Sequence, residues 1–167
     1  MVRHATVCGI DPGLAGAIAF ISDRGEFVAV YDMPTLKATT GRRQVDPHAL
    51  AGILREHSPA FTLLERVGVR PGEGAVGAFG FGQSYGVVLG ILAALELPHA
   101  AILPATWKRN AGVPSGAQKS ASIAIAKQLV PTAASHLMRV KDDGRAEAIL
   151  LAFDARRQHH PTGLQQD

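Results

Sequence analysis

Residues 5–13 read Ala-Thr-Val-Cys-Gly-Ile-Asp-Pro-Gly, an apolar run that ends in a turn-forming Asp-Pro-Gly. Two more short runs rich in Val, Ile, Ala and Phe follow at 17–22 and 26–31, and a second turn-forming cluster, Asp-Arg-Gly, lies between them. Short apolar runs separated by turn residues predict β-strands. Three of them at this spacing predict an antiparallel meander at the start of the chain.

The remainder of the chain alternates helices with strands. Asp46 as N-cap and Pro47 as first helical residue predict a helix that ends near His57. The other predicted elements are strands at 60–65 and 99–103, helices at 75–95, 115–129 and 143–157, a helical turn at 106–110 and a mobile polar loop at 37–44. Strands that follow helices need parallel crossovers. The prediction is therefore an α/β fold with a five-stranded mixed sheet, three strands antiparallel and two parallel, flanked by helices. It forms one domain over 1–158 with a flexible tail at 159–167.

Composition excludes several other classes of protein. The chain has 167 residues, of which 47% are hydrophobic and 19% charged, with a net charge of +3. Such a chain has enough apolar material for a core and too little net charge to remain disordered. The single cysteine, Cys8, excludes a disulfide framework and a thiolate zinc site, and it favours a cytoplasmic location. We expect no apolar stretch to reach the roughly 18 residues that a membrane span needs.

Acidic residues interrupt the apolar elements at informative places. Asp11 ends the first predicted strand and Glu65 ends the fourth, so parallel pairing of these strands would bring both carboxylates together. Asp143 and Glu147 are four residues apart and share one face of the last helix. Clustered carboxylates repel one another unless a cation is bound, and oxygen ligands favour Mg²⁺ or Mn²⁺. Simpler interpretations remain open at this point. Asp11 could be a turn residue, Glu65 a solvated strand end, and Asp142 or Asp143 a helix N-cap.

Four blocks of sequence together resemble one known family. They are Gly9-Ile10-Asp11-Pro12-Gly13, Leu64-Glu65, Phe81-Gly82-Gln83-Ser84-Tyr85-Gly86 and Asp142-Asp143-Gly144-Arg145-Ala146-Glu147-Ala148. In this order they resemble the RuvC-type Holliday junction resolvases of the ribonuclease H-like superfamily, particularly the shorter phage-like branch. The resemblance covers roughly residues 5–155.

The resemblance implies a homodimeric endonuclease that nicks a four-way DNA junction symmetrically, using two Mg²⁺ ions per site, with Mn²⁺ able to substitute. It implies the catalytic residues and metal ligands Asp11, Glu65, Asp143 and Glu147, with Asp142 as a further candidate ligand. Family members often carry a ligand three residues before the last acid, where this chain has Gly144. A residue four positions before Glu147 lies only about 40° from its direction on a helix, and one five positions before lies about 140° away. This favours Asp143 as ligand and Asp142 as a cap or supporting contact.

Basic residues provide a candidate DNA surface. We expect phosphate contacts from Lys108 and Arg109, from Lys119, from Arg66 and Arg70 beside Glu65, and from Arg42 and Arg43 in the polar loop. Lys119, near a helix start, is the closer match to the family's basic residues, and each of the others is equally compatible with an ordinary solvated role. The family's aromatic residue after the glutamate is replaced here by Val67-Gly68-Val69, so Phe79, Phe81 or Arg70 are the candidates for opening the junction.

Three glycines recur at intervals of four residues on the second long helix, namely Gly82, Gly86 and Gly90. Glycine inside a helix costs about 1 kcal/mol relative to alanine, which indicates a requirement for close approach. Tight packing on the sheet, a dimer contact and approach of DNA all satisfy that requirement.

The leading hypothesis is an Mg²⁺-dependent Holliday junction endonuclease in the cytoplasm of a bacterial or phage-infected cell. Its partners are branched DNA and a second copy of the chain, with no membrane and no nucleotide cofactor. Two alternatives keep the fold: a debranching nuclease for flaps, forks and Y-junctions, and a junction-binding protein with a decayed site. An actin-like sugar kinase would need two such domains, which 167 residues do not provide.

Overall fold

The computed structural model describes residues 5–39, 41–66, 68, 72 and 74–159, except for the side chain of Lys119. Its seven strands in the described residues are β1 Thr6–Ile10, β2 Ala17–Ser22, β3 Phe27–Asp32, β4 Thr35–Lys37, β5 Arg43–Val45, β6 Phe61–Glu65 and β7 His99–Ile102. Its α-helices are α1 Pro47–His57, α2 Ala75–Ala94, α3 Pro104–Ala111, α4 Lys119–Leu129 and α5 Asp143–His159. Two 3₁₀ segments, Pro131–His136 and Val140–Asp142, lie between α4 and α5.

The main sheet has five strands in the order β3-β2-β1-β6-β7. β1 pairs antiparallel with β2, β2 pairs antiparallel with β3, and β1-β6 and β6-β7 are parallel pairs. This is the predicted mixed sheet, so the predicted fold class is confirmed. Because β1 and β6 are neighbours running in the same direction, Asp11 and Glu65 follow strands that end at the same edge of the sheet.

Helices cover both faces of the sheet. One core cluster contains Val7 and Leu63 and packs against α3, α4 and α5. The other contains Cys8 and Leu64 and packs against α1 and α2. Successive residues of β1 thus enter opposite cores, as the pleat of a strand requires, and this explains why the strand is apolar on both sides.

The close approach of α5 to β1 depends on Gly9. A Cβ atom at this position would lie 2.2 Å from the backbone nitrogen of Ala152 and 2.3 Å from the carbonyl oxygen of Ala148. Both atoms belong to the backbone of α5, so neither can move away as a side chain can. A residue without a side chain on β1 therefore lets α5 lie against the sheet, and α5 carries Glu147 to the edge where β1 ends.

Several predicted boundaries need correction. A mobile loop was predicted over 37–44, but both ends of that stretch belong to the β4-β5 hairpin, which pairs Thr35 with Val45 and Lys37 with Arg43. The helix expected to begin at Ser115 begins at Lys119, because Gly116 at φ 70° takes a left-handed conformation that interrupts a helix. The predicted helical turn is the eight-residue helix α3. The predicted tail lies outside the described residues beyond His159, which is still part of α5.

Helix α2 corrects the expectation about apolar length. Ala75–Ala94 is long and apolar enough to cross a membrane by length and composition, although such a helix on its own is weak evidence for a span. Only 17% of the most apolar 18-residue stretch of this helix is buried. The Cβ positions of Gly82, Gly86 and Gly90 have no atom within 4 Å, so these glycines face open space. The interpretation that they pack against the sheet is therefore wrong.

Candidate active site

Asp11 lies in a tight turn directly after β1. Its backbone N–H donates to the carbonyl of Ala17 at 3.0 Å, and its Oδ1 accepts the N–H of Gly13 at 3.0 Å. A Cβ at Gly16 would lie 2.3 Å from the Asp11 carbonyl oxygen. The turn thus needs a glycine at 16, and it fixes the Asp11 carboxylate at the sheet edge.

Glu65 is the last residue of β6, beside β1 in the sheet. Its Oε1 accepts a hydrogen bond from the indole Nε1 of Trp107 at 3.4 Å. Trp107 is fully buried, because it lies on the face of α3 that packs into the core. The indole N–H of this buried side chain thus reaches a carboxylate of the predicted site.

Glu147 lies one turn into α5 and completes a group of three carboxylates. One oxygen from each of Asp11, Glu65 and Glu147 lies within 4.8 Å of the others. The Nζ of Lys108 is 3.1 Å from Glu147 Oε1, so α3 supplies a cation to the group as well as the Trp107 donor. Residues far apart in the sequence are brought together by three elements, β1, β6 and α5.

Two of these carboxylates, Asp11 and Glu65, are destabilised as anions, because their pKa values are raised. Burial, together with the negative charges of Asp11 and Glu147, raises the pKa of Glu65 to about 7, against the opposing effects of Trp107 and Lys108. Burial also raises the pKa of Asp11, although the N–H of Gly13 partly offsets this. Three partly buried carboxylates this close together are the donor set of a hard divalent cation. The residues present thus fit the metal site predicted from the sequence.

The two aspartates before Glu147 lie in different environments. Asp142 is 2% exposed, and its carboxylate accepts the Arg139 guanidinium at 2.6 Å and the Arg139 backbone N–H at 2.8 Å. Arg139 holds the pKa of Asp142 below its usual range. Asp142 is therefore not one of the three grouped carboxylates, and its contacts are those of a cap or supporting residue. Asp143 is close enough for its charge to raise the pKa of Asp11, although it is not one of the three residues in the group.

Gly144 occupies the position at which family members often carry another ligand. A Cβ there would lie 2.4 Å from the carbonyl oxygen of Ala15, in the turn that follows Asp11. The absence of a side chain lets the start of α5 lie against that turn. The departure from the family pattern thus has a packing reason.

The predicted DNA-binding residues occupy several places. Lys108 and Arg109 line a cavity beside Glu147, Lys119 is the first residue of α4, and Arg66 is exposed immediately after β6. Arg42 and Arg43 line a second cleft together with the exposed Phe79, and the Arg43 guanidinium donates to Thr35 Oγ1 at 2.9 Å. Arg70 lies outside the described residues. The contacts of these residues with DNA stay predictions.

The chain is similar to known Holliday junction resolvases. No protein-family model matches it. Its fold aligns with the structure "T. thermophilus RuvC in complex with Holliday junction substrate" at a TM-score of 0.66 and 18% identity, covering 93% of this chain and 96% of that one. It aligns with the yeast mitochondrial Holliday junction resolvase Ydc2 at a TM-score of 0.56 and 16% identity, covering 94% of this chain and 82% of that one.

One curated protein is similar in sequence. The chain is 31% identical over 129 residues to the chloroplastic Holliday junction resolvase MOC1 of Chlamydomonas reinhardtii. The match covers 74% of this chain and spans about 15% of the length of that relative. The chain therefore has the ribonuclease H-like fold of RuvC, and the resemblance predicted from the four sequence blocks is confirmed.

Proposed function

We propose that the chain is a RuvC-type endonuclease that resolves four-way DNA junctions by symmetric paired nicks. The observation that carries the proposal is the convergence of Asp11, Glu65 and Glu147 at one sheet edge of a RuvC fold. The matched proteins are named as Holliday junction resolvases, which supports the same substrate for this chain.

Asp11, Glu65 and Glu147 would hold the catalytic metal, with Asp143 as a further ligand. We infer two Mg²⁺ ions per site, for which Mn²⁺ substitutes. When bound, these ions would supply an activated water and charge stabilisation for the leaving oxygen. The protein's own contribution is to prepare the ligands. The Gly13 N–H orients Asp11, and the buried Trp107 indole orients Glu65 and stabilises its anionic form.

Lys108 contributes a cation next to the metal ligands. Its ammonium lies 3.1 Å from Glu147, and its side chain is 37% exposed. It therefore partly neutralises the carboxylates while remaining accessible to a phosphate of the bound strand. We infer that Lys108 contacts the substrate near the scissile bond.

Two symmetric nicks need two equivalent sites, which a two-fold dimer provides. The apolar and largely exposed α2 supports a dimer in this chain. Gly82, Gly86 and Gly90 form a smooth stripe on it that permits close approach of a second backbone. We infer that a second copy of the chain covers this face.

The deciding experiment compares cleavage of four substrates by the wild-type chain in Mg²⁺. Synthetic four-way junctions, three-way junctions, flaps and linear duplexes of matched sequence are incubated with the protein. We expect the four-way junction to be cut much faster than the others, at points related by two-fold symmetry. Equal rates on all branched substrates would select the debranching nuclease. Binding without cleavage in Mg²⁺ or Mn²⁺ would select the decayed junction-binding protein.

Variants of the carboxylates connect cleavage to the site. Asp11→Asn and Glu65→Gln are expected to abolish junction cleavage, because each removes a charged metal ligand. They should leave junction binding largely intact, because each keeps the shape of the side chain. Glu26→Gln is the matched control, since Glu26 is an exposed glutamate at the β2-β3 turn. Cleavage by either site variant at the wild-type rate would remove the proposal.

Metal binding can be measured without DNA. Trp107 is the only tryptophan of the chain, and its indole lies 3.4 Å from Glu65. Tb³⁺ replaces divalent cations at carboxylate sites, and a nearby indole sensitises its luminescence. We expect Trp107-sensitised emission in the wild type, competition by Mn²⁺, and loss of the signal in Glu65→Gln but not in Glu26→Gln. A wild-type protein without sensitised emission would contradict the metal site.

A further inference from the structure

Helix α3 contacts the carboxylates through two consecutive residues. Trp107 donates its indole N–H to Glu65, and Lys108 forms an ion pair with Glu147. The indole nitrogen lies 3.4 Å from Glu65 Oε1, which is longer than the usual range of about 2.7 to 3.2 Å for such a bond. A small shift of α3 away from the sheet would therefore break it. The position of α3 thus decides whether the Trp107 contact is made.

A second carboxylate of α5 lies against the same helix. Asp154 is seven residues after Glu147, and seven residues turn a helix to within about 20° of two full turns. Both side chains therefore leave α5 in nearly the same direction. Glu147 reaches Lys108 of α3, and Asp154, which is only 3% exposed, reaches Asn110 of α3. The face of α5 that carries a site residue to the sheet edge thus also carries a buried acid in contact with α3.

Asn110 is attached to α5 through both its side chain and its backbone. Its Nδ2 donates to Asp154 Oδ2 at 3.0 Å and to Asp154 Oδ1 at 3.3 Å. Its carbonyl oxygen accepts a hydrogen bond from the guanidinium of Arg157 at 3.0 Å. This carbonyl is one of the last four of α3, which have no partner within their own helix. These hydrogen bonds hold the end of α3 on α5.

Apolar packing by itself leaves the position of a short helix less well defined. Trp107 and Ala111 are the buried residues of α3, and the burial of apolar surface has no directional preference. A hydrogen bond does have a preferred distance and angle. Because a buried carboxylate costs free energy unless its oxygens are hydrogen-bonded, Asp154 favours the one arrangement in which Asn110 lies against it. Asn110 is three residues after Trp107, so this contact also fixes the helix turn that carries the indole.

We propose that Asp154 is a positioning residue for the active site. Through Asn110 it holds α3 at the distance at which Trp107 reaches Glu65. Asp154 itself lies about 10 Å along α5 from Glu147, so it acts on the site through α3 rather than by direct contact. Its importance for cleavage rests on the proposed function, whereas its effect on the Trp107 contact can be measured without DNA or metal.

The indole N–H of Trp107 reports the contact directly. Trp107 is the only tryptophan of the chain, so its indole gives a single peak in a nitrogen–proton correlation spectrum, recorded here in EDTA. Glu65→Ala removes the acceptor and gives the peak position of an indole without this bond. We expect Asp154→Leu, which removes the acceptor of Asn110 at similar side-chain volume, to move the peak most of the way to that position. Asp154→Asn keeps an acceptor oxygen and should leave the peak in place.

An exchange of the two side chains tests the pair. Asn110→Asp places two carboxylates against each other and should move the indole peak as Asp154→Leu does. The double variant Asn110→Asp with Asp154→Asn again has one donor and one acceptor, so we expect its peak to return toward the wild-type position. A double variant whose peak stays with that of Asn110→Asp would overturn the proposal. Asn110→Ala serves in place of Asp154→Leu if the latter does not fold.

Gln158→Ala is the matched control. Gln158 is exposed and donates to Asp154 Oδ2 at 3.2 Å, but it belongs to α5 and its loss leaves the contact with Asn110 in place. We expect the indole peak of this variant to stay at the wild-type position. A shift as large as that of Asp154→Leu would overturn the proposal, because the effect would not pass through Asn110. A lower urea midpoint for Asp154→Leu with an unmoved peak would also overturn it, because Asp154 would then serve stability alone.

Cleavage kinetics separate the positioning role from the proposed function. We expect Asp154→Leu to lower kcat on the four-way junction about 10-fold, as is typical for the loss of one hydrogen bond to a charged group, with KM nearly unchanged. Asp154→Asn should keep the wild-type kcat. If the peak of Asp154→Leu moves while its kcat equals that of the wild type, the positioning role in the reaction fails. If the peak moves as expected but the wild type cuts no junction, Asp154 still positions α3 and the proposed nuclease activity fails.

Discussion

Glu65 ends a strand whose three preceding residues are buried, and its carboxylate lies against those of Asp11 and Glu147. Its pKa of about 7 in the folded chain is above the ordinary value of 4.5, mainly because of burial. The folded state therefore binds a proton at Glu65 more tightly than the unfolded state. Folding thus favours the protonated form of Glu65, whereas metal binding requires its charged form.

The sign of the pH effect on stability follows from this shift. Between about pH 4.5 and 7 the folded chain holds more protons than the unfolded chain, so the contribution of Glu65 to the free energy of unfolding falls as pH rises. We expect Glu65→Gln to be more stable than the wild type at pH 8 in EDTA by about 1 to 3 kcal/mol, and similar to it at pH 4.5. Urea unfolding at both pH values measures this. A variant less stable than the wild type at pH 8 would contradict the assignment.

Trp107→Phe tests the hydrogen bond to Glu65 while keeping an aromatic ring in the core. Because the indole N–H stabilises the anion, its loss should raise the pKa of Glu65 further. The pH profile of junction cleavage should then shift to higher pH. Mg²⁺-dependent cleavage should be weaker at neutral pH and should recover at higher pH. Urea unfolding of the variant controls for lost packing. An unchanged pH profile would show that Trp107 serves packing alone.

Among the elements, α5 is positioned by residues without side chains. Gly9→Ala should destabilise the fold by about 3 kcal/mol, because its Cβ would meet the backbone of α5. Gly52→Ala is the matched control in the middle of α1, where nothing lies within 4 Å, and it should stabilise the chain by about 0.5 to 1 kcal/mol. Urea midpoints of the two variants test this contrast. Equal midpoints would show that α5 can move away from β1 at little cost.

Helix α2 carries the prediction about assembly. Gly86 faces open space in the single chain, so Gly86→Glu should leave the fold intact and introduce a charge into the inferred dimer face. We expect the wild type to sediment as a dimer and Gly86→Glu as a monomer that binds junctions more weakly. Gly52→Glu, on the exposed side of α1, should remain a dimer. A monomeric wild type would contradict the inferred interface.

The elements differed in how far the sequence predicted them. The strands that form the sheet were predictable because their apolar runs end at clear turn residues, as in Asp-Pro-Gly after Ile10. The β4-β5 hairpin was missed because its strands have only three residues and include Lys37 and Arg43, which give no apolar pattern. The start of α4 was misplaced because Ser115 resembles an N-cap, whereas Gly116 interrupts the helix.

The sequence motifs predicted the carboxylates of the site but not the contacts that surround them. Asp11 and Glu65 could be placed together from strand order, and Glu147 from its position on the last helix. The contacts from Trp107 and Lys108 were not predictable, because they depend on how α3 packs against the sheet. The interaction of Asp142 with Arg139 likewise depends on the short 3₁₀ segment before α5.

At the scale of the whole molecule, the sheet edge gathers residues that are 136 positions apart in sequence, from Asp11 to Glu147. The central claim is that these carboxylates, with Glu65, form one divalent metal site. Anomalous diffraction from crystals soaked in Mn²⁺ tests it most directly. The account predicts an anomalous peak coordinated by Asp11, Glu65 and Glu147 in each copy of the chain. Crystals with Mn²⁺ bound elsewhere and no peak among these three side chains would contradict it.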